Sequence, residues 1–382
     1  MTRLSVVIPA YNAAQGLRTC LRSLESQVLD HGDEYDVVVV DDGSSDETAA
    51  VVENTTWRFP VDYRHLPRTE FSGRARARNA GIRAATGDVV VMVDADVITS
   101  PGFLAQHARL HRRRDDLVVI GPRHHLAGPL LGPADLARLF EGDPDALVVK
   151  RDSRDTLLAM LSNNLNNLAT RWHHMFSCNA SVRREHLLHV GGFDEEFTGW
   201  GLEDSELGYR LHRQGLAFAY APEAVTYHQH RQTIDERMHG EWRRNLAHFT
   251  AKHPEPDVAA QWVIEPSVDP AGRASWVECA LRLEFAVRAL HGRLPWARYK
   301  LIEVGHENRD AAVTSVKRYA TDNHLLIVDH LADSDLCALV QTMPTRHELL
   351  YFRRPASTDL DRILASWPVA PVISDVVEPV MR

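Results

Sequence analysis

The chain has 382 residues, 44% of them hydrophobic and 25% charged, which suits one large α/β domain plus a smaller module and excludes wholesale disorder. A formal net charge of −9 argues against a general nucleic-acid partner. No apolar run approaches the roughly 20 residues of a membrane span. Met1-Thr2-Arg3-Leu4-Ser5-Val6-Val7-Ile8-Pro9 enters a strand without the order of a signal peptide, so a cytoplasmic protein with no transmembrane segment is expected.

Leu4 to Pro9 is a continuous apolar run, the pattern of a strand buried on both faces. From Ala14 to Gln27 a helical stripe carries Leu17, Cys20, Leu21 and Leu24. Tyr35 to Val40 reads as a second buried strand ending at Asp41-Asp42-Gly43-Ser44, and a helix over Asp46 to Glu53 follows, with Ser45 or Asp46 as N-cap. Val61 to Arg64 is a weaker strand and Arg74 to Ala85 a helix. Asp88 to Val93 is a fourth strand that delivers Asp94 at its C-terminal end. Phe103 to Arg114 reads as a helix and Val118 to Gly121 as a strand. The segment Gly128 to Asp155, rich in Pro, Gly and Asp, reads as a mobile or acceptor-facing insertion.

Beyond Pro254 the character changes, with Pro254, Pro256, Pro266 and Pro270 punctuating a linker. The expected division is a main domain over 1–250, a linker over 251–275 and an accessory region over 276–382. The last combines a helix at Trp276 to Leu290, strands at Leu325 to Val328 and Leu349 to Phe352, and helices at Ser334 to Met343 and Thr358 to Trp367. In the main domain, strands alternating with helices imply a parallel, doubly wound sheet whose ligands bind outside the carboxyl ends of the strands. Pro9-Ala10-Tyr11-Asn12, Asp41-Asp42-Gly43-Ser44 and Asp94-Ala95-Asp96 all fall at those ends.

Four cysteines, Cys20, Cys178, Cys279 and Cys337, lie far apart without a CxxC pair and read as reduced, buried thiols. Cys178 alone sits in a motif that makes a nucleophile worth weighing, against burial as the usual fate of a lone cysteine. Asp94 and Asp96 are hard oxygen ligands, suited to Mg²⁺ or Mn²⁺ shared with nucleotide phosphates; alone, the triplet is equally a solvated turn. Asp42 can accept from a base N–H or ribose hydroxyls, and Tyr11 can stack on a base. Arg74 and Arg78, at i and i+4, present forks suited to a diphosphate, whereas Arg76 reads as a solvated position. In Gly199-Trp200-Gly201-Leu202-Glu203-Asp204-Ser205-Glu206, Trp200 offers a flat face to a sugar ring and Asp204 is placed as a general base. Glu203 and Asp204 also complement a helix dipole. Within Tyr227-His228-Gln229-His230 one imidazole can complete a metal site with Asp96, although most of the 21 histidines must be incidental.

Taken together, Val6-Val7-Ile8-Pro9-Ala10-Tyr11-Asn12, Val39-Val40-Asp41-Asp42-Gly43-Ser44-Ser45-Asp46, Ala77-Arg78-Asn79-Ala80-Gly81 and Asp94-Ala95-Asp96 resemble the family 2 glycosyltransferases of the GT-A fold. Asn179-Ala180-Ser181-Val182-Arg183-Arg184, Gly191-Gly192-Phe193-Asp194-Glu195 and Trp200-Gly201-Leu202-Glu203-Asp204 are similar to the galactosyltransferase-type C-terminal motif region. The resemblance ends near residue 250. It implies a doubly wound mixed sheet flanked by helices, to which the residue pattern beyond it adds a C-terminal helical and α/β appendage. It also implies Pro9, Tyr11 and Asp42 at the nucleobase, Arg78 near ribose or diphosphate, Asp94 at the ribose and Asp96 on the divalent metal. His228 becomes the third metal ligand, His230 the second choice, and Asn179 a neighbour of the donor sugar. Trp200 and Glu203 meet the acceptor, and Asp204 is the base of a single inverting displacement.

The expected reaction is transfer from a nucleotide diphosphate sugar, UDP-linked by preference, to a hydroxyl acceptor: a natural product, peptide or glycan. A sugar-phosphate nucleotidyltransferase also pairs carboxylates after a strand, but here lacks a Gly-rich phosphate loop and leaves the Trp200 elbow unexplained. A non-catalytic nucleotide-sugar or carbohydrate module would not need Asp94, Asp96, Glu203 and Asp204 together. The C-terminal region is expected to read the acceptor or to form a homodimer.

Overall fold

The computed structural model describes residues 1–142, 147–160, 163–229, 233–272, 274–290, 298–331, 333–343, 349–353 and 372–376. It separates into two compact units, one of Met1–Ser153, Trp172–Leu216 and Ala221–Phe249, the other of Arg154–Arg171, Ala217–Tyr220 and Thr250–Arg382.

In chain order the elements are β1 (Arg3–Ala10), α1 (Ala14–Leu24), β2 (Glu34–Asp41), α2 (Thr48–Glu53), β3 (Val61–His65), α3 (Arg74–Ala84), β4 (Val89–Met92), β5 (Val97–Thr99), α4 (Phe103–His111), β6 (Leu117–Ile120) and β7 (Arg123–Leu126). Then come α5 (Leu136–Glu141), β8 (Val148–Lys150), α6 (Ser153–Met160), β9 (Ala180–Arg183), α7 (Arg184–His189), α8 (Glu203–Arg213), β10 (Ala217–Tyr220, in the second unit), β11 (Thr226–His228) and α9 (Glu236–Lys252).

The main sheet of the first unit runs β6-β9-β4-β1-β2-β3. β1 lies parallel to β2 from Arg3↔Glu34 to Ala10↔Asp41 and parallel to β4, so Tyr11, Asp42 and Asp94 leave neighbouring strands on one edge. Val6, Val7 and Ile8 in β1, Val37 to Val40 in β2 and Val89 to Met92 in β4 are at most 2% exposed, as continuous apolar strands covered on both faces must be. The sheet is mixed rather than purely parallel, because β9 pairs antiparallel with both β4 and β6. Asp46 accepts from the Thr48 N–H in the first turn of α2, close to its expected cap position.

Gly128 to Asp155 is not a bare insertion. It contains α5, and β8 pairs antiparallel with β7 in a small sheet ordered β5-β11-β7-β8. Leu136 and Leu139 close onto Ile98, Leu126 and Tyr227, the apolar anchors that the Pro and Gly content concealed.

α4 lies on the sheet through two histidines. His107 Nδ1 and His111 Nε2 both reach Ser181 Oγ at 2.8 Å, and both rings are fully buried. Burial pushes His107 down to about 4 and His111 to about 3, against an ordinary 6.5, so both are neutral in the fold. The unfolded chain protonates them below about 6.5 while the fold does not, so stability is complete above that pH and falls as pH drops toward 4. Thermal melts should show Tm declining across this window, with a shallower decline in His107→Gln/His111→Gln; an unchanged slope would assign the acid sensitivity to other groups.

In the second unit, α10 (Pro256–Ala259) and a 3₁₀ helix at Ala260–Ser267 occupy the expected linker, and α11 (Trp276–Leu290) follows. β12 (Arg298–Val304), α12 (Arg309–Tyr319), β13 (His324–Asp329), α13 (Ser334–Thr342), β14 (Leu349–Arg353) and β15 (Val372–Val376) build a second sheet in the order β14-β13-β12-β15, parallel throughout. The helix expected at Thr358 to Trp367 lies outside the described residues. Among the described residues no helix is long and apolar enough to cross a membrane.

Candidate active site

The site forms along the strand edge that carries Tyr11, Asp42 and Asp94. β11 pairs antiparallel with β5, His228 opposite Val97, and the Gln229 N–H donates to the Asp96 carbonyl at 3.0 Å. This pairing sets His228 Nε2 3.5 Å from Asp96 Oδ1. One ligand atom from each of Asp94, Asp96 and His228 fits within 4.8 Å of the others, all three side chains half-buried. Two carboxylate oxygens and an imidazole nitrogen are a donor set that fits Mn²⁺ or Mg²⁺. His230 lies outside the described residues. Burial works to raise Asp94, but Arg78 above all, then His228 and Arg74, hold it below the ordinary carboxylate range.

Arg78 is not open to a phosphate. Its side chain is 3% exposed and its fork points at three carboxylates: Asp94 Oδ1 at 2.9 Å, Glu203 Oε1 at 3.3 Å and Asp204 Oδ1 at 3.8 Å. The diphosphate role expected of it is therefore corrected to that of an internal counter-ion. Glu203, expected at the acceptor, is itself buried against that guanidinium. Arg74, one turn earlier on α3, is exposed and lies within electrostatic reach of Asp94.

Asp204 opens α8 behind an unusual elbow. Leu202 has φ +74°, a left-handed conformation costly for a branched side chain, between Gly201 at +95° and the helix. A Cβ on Gly199, itself at φ +74°, would come within 2.5 Å of the Glu241 carboxyl group. Asn245 of α9 donates to the Thr198, Trp200 and Gly201 carbonyls, which holds Trp200 half-buried at the rim. The two oxygens of Asp204 differ: Oδ2 accepts from the Ser177 N–H at 2.9 Å, whereas Oδ1 is buried without a hydrogen-bond partner among the described residues. Burial first, then Glu203, push Asp204 up to about 6 against the pull of Arg78 and Ser177.

At the other end of the strand edge, Tyr11 is 49% exposed and Asp42 only 4%. Arg68, which the sequence pattern did not single out, stacks its guanidinium 4.0 Å over the Tyr11 ring and donates to Asp42 Oδ2 at 2.7 Å. Gly43, at φ +81°, leaves the space that the Arg68 backbone occupies. Arg76, expected to be solvated, is partly buried and reaches Asp42 Oδ1 at 3.5 Å. Pro9 is half-buried at the end of β1.

Asn179 does not face a ligand. It is fully buried; its amide donates to the carbonyls of Pro122 and Ala224 and to Thr226 Oγ1, and its Oδ1 meets His107 Nε2. The donor-sugar contact expected of it is withdrawn. The four cysteines are buried reduced thiols, and Cys178 has Arg123 beside it.

Residues 5–190 match the family "Glycosyl transferase family 2" and residues 160–233 match "N-terminal domain of galactosyltransferase". The uncharacterised glycosyltransferase YfnE of Bacillus subtilis (strain 168) is 30% identical over 285 residues, 66% of this chain and 70% of that protein. Validoxylamine A glucosyltransferase of Streptomyces hygroscopicus subsp. jinggangensis is 31% identical over 260 residues, 66% of this chain but 61% of its own length, so the chain spans less than two thirds of that relative. The crystal structure of S. aureus TarS 1-349 in complex with UDP-GlcNAc shares the fold with a TM-score of 0.50 at 15% identity, over 84% of this chain and 93% of that one. A match across 70% of one glycosyltransferase, together with the family match over residues 5–190, leads to one assignment: the chain belongs to glycosyl transferase family 2.

Proposed function

We propose that the protein is an inverting, metal-dependent glycosyltransferase that moves one sugar from a nucleotide diphosphate sugar, UDP-linked, to a hydroxyl acceptor. The observation that carries this reading is that Asp94, of the cation-binding trio, and Asp204, a carboxyl raised to about 6, face the same buried Arg78. A metal-side carboxylate and a proton acceptor are thereby brought to one spot.

In this reading Tyr11, Pro9 and Asp42 receive the nucleobase, Asp94 the ribose, and Asp96 with His228 hold the divalent ion. Bound there, the ion supplies Lewis-acid neutralisation of the departing diphosphate. Trp200 lines the acceptor side with a flat apolar face, while Glu203 acts through Arg78. The acceptor hydroxyl attacks the anomeric carbon from the face opposite the diphosphate, one C–O bond forming as the other breaks. Asp204 takes the hydroxyl proton and the nucleoside diphosphate departs with the bonding pair. The Streptomyces relative is named for glucosylation of validoxylamine A, which supports sugar transfer as the reaction.

A panel of UDP-, GDP- and dTDP-sugars with Mn²⁺, scored by nucleoside diphosphate release, tests the reading. Turnover should favour UDP, stop with EDTA and fall by at least ~100-fold in Asp96→Ala. Pyrophosphate release, or turnover indifferent to EDTA, would overturn it.

A further inference from the structure

The two oxygens of Asp204 stand in different environments: Oδ2 meets a peptide N–H and Oδ1 faces Arg78. Ser177 is the first residue of a 3₁₀ helix at Ser177–Asn179, and its N–H donates to Asp204 Oδ2 at 2.9 Å. A carboxylate oxygen that accepts a main-chain N–H is fixed in direction, because the peptide cannot rotate away as a side chain can. The other oxygen, Oδ1, accepts no hydrogen bond among the described residues and lies 3.8 Å from Arg78 Nη1.

The helix carrying this N–H is anchored from its far end. Asn179 is 0% exposed, and its side chain is bound to Pro122, Ala224, Thr226 and His107 as described above. Beyond it, His107 and His111 both close on Ser181 at the start of β9. The contacts therefore run without a gap from α4 and β9 through Asn179 to the Ser177 peptide and the carboxyl group. Buried amide networks of this kind hold a position only when their members are satisfied, as the Asn179 amide is.

We propose that Ser177 and Asn179 are positioning residues for glycosyl transfer: the Ser177 N–H anchors Asp204 Oδ2 and so fixes the orientation in which the carboxyl group meets the acceptor hydroxyl, and Asn179 fixes that N–H in place. The inference rests on Asp204 being the base, and it assigns work to a residue whose direct role at the donor the structure removes. The Ser177 hydroxyl, on the same residue, lies close enough to lower Asp204 alongside the N–H, so its share must be separated from that of the peptide.

Ser177→Pro is the decisive variant. It deletes the N–H at a first helical position, where proline is tolerated, and Phe176 before it is extended at φ −125°, ψ 119°, as a residue preceding proline must be. Ser177→Ala keeps the N–H and removes only the hydroxyl. With wild type established as an active transferase, Ser177→Ala, which keeps the N–H, should retain at least ~10-fold more kcat than Ser177→Pro. Ser177→Pro should lose kcat by ~100-fold with the donor KM unchanged, as expected for a misaligned base rather than a damaged donor pocket. Equal kcat in the two variants, or a matching rise in donor KM, would overturn the proposal. If Ser177→Pro does not fold, the Ser177 amide proton resonance decides: it should move upfield in Asp204→Ala as its charged acceptor disappears, and an unmoved resonance overturns the anchor. Wild type inactive on every donor would instead overturn the proposed function, since the amide measurement needs no turnover.

Discussion

Asp204→Asn should abolish sugar transfer, lowering kcat by about 10²–10⁴-fold, the range a positioned general base contributes. The substitution removes the proton-accepting charge but keeps the shape, and an amide oxygen can still accept the Ser177 N–H that holds Oδ2 at 2.9 Å. The fold and UDP binding should therefore survive, and isothermal titration should give a donor affinity within about twofold of wild type. The same carboxyl sets a pH dependence. Held at about 6 by burial and by Glu203, Asp204 is mostly ionised at pH 7 and protonates progressively below 6. Transfer should be flat above pH 7 and fall toward tenfold per pH unit on the acid side. An Asp204→Asn protein that turns over at the wild-type rate, or a wild-type acid limb near 4, would remove Asp204 from the base role.

Parts of this site are legible in the sequence because they are local. β4 is an uninterrupted apolar strand, so Asp94 had to emerge at its end, and β1 and β2 fix Tyr11 and Asp42 by the same rule. α11 occupies the residues expected from periodicity alone, Trp276–Leu290. What local pattern could not reveal is long-range pairing. β11 reaches the site by lying antiparallel to β5, which joins residues far apart in the sequence of the first unit, and no periodicity in either segment announces it. β9 runs antiparallel for the same kind of reason.

Side-chain polarity misled in a different way. Asn179 sits inside a motif, and a buried amide saturated by carbonyls and an imidazole has the same one-letter signature as an amide facing a sugar. Arg68 lies in the turn-rich stretch between β3 and α3, where composition says loop and nothing more, yet it covers Tyr11 and grips Asp42. A ligand entering that end must share or displace these contacts. The signal that could have found Arg68 is Gly43, because a glycine in a tight strand-end turn marks a close backbone approach.

Arg78→Met should be the most damaging single change to the fold around the site. Methionine keeps the apolar stem of arginine but ends short of the guanidinium, so part of the packing is kept while the charge disappears. Asp94, Glu203 and Asp204 then face one another without the cation that lies 2.9, 3.3 and 3.8 Å from them. Removing one partner of a buried ionic cluster leaves the others uncompensated, and a loss of about 3–5 kcal/mol is expected. Arg78→Lys should recover only part of this, because one ammonium cannot span carboxylates on both sides as the fork does. The sign of the pH effect separates electrostatics from mere cavity formation. Without Arg78 the carboxyl groups shift upward, so acidification neutralises mutually repelling charges in the variant. The stability gap to wild type should therefore narrow between pH 8 and pH 5 in urea titrations. A gap independent of pH would mean that Arg78 serves the site by filling space, and that the junction between the cation trio and the base is not electrostatic.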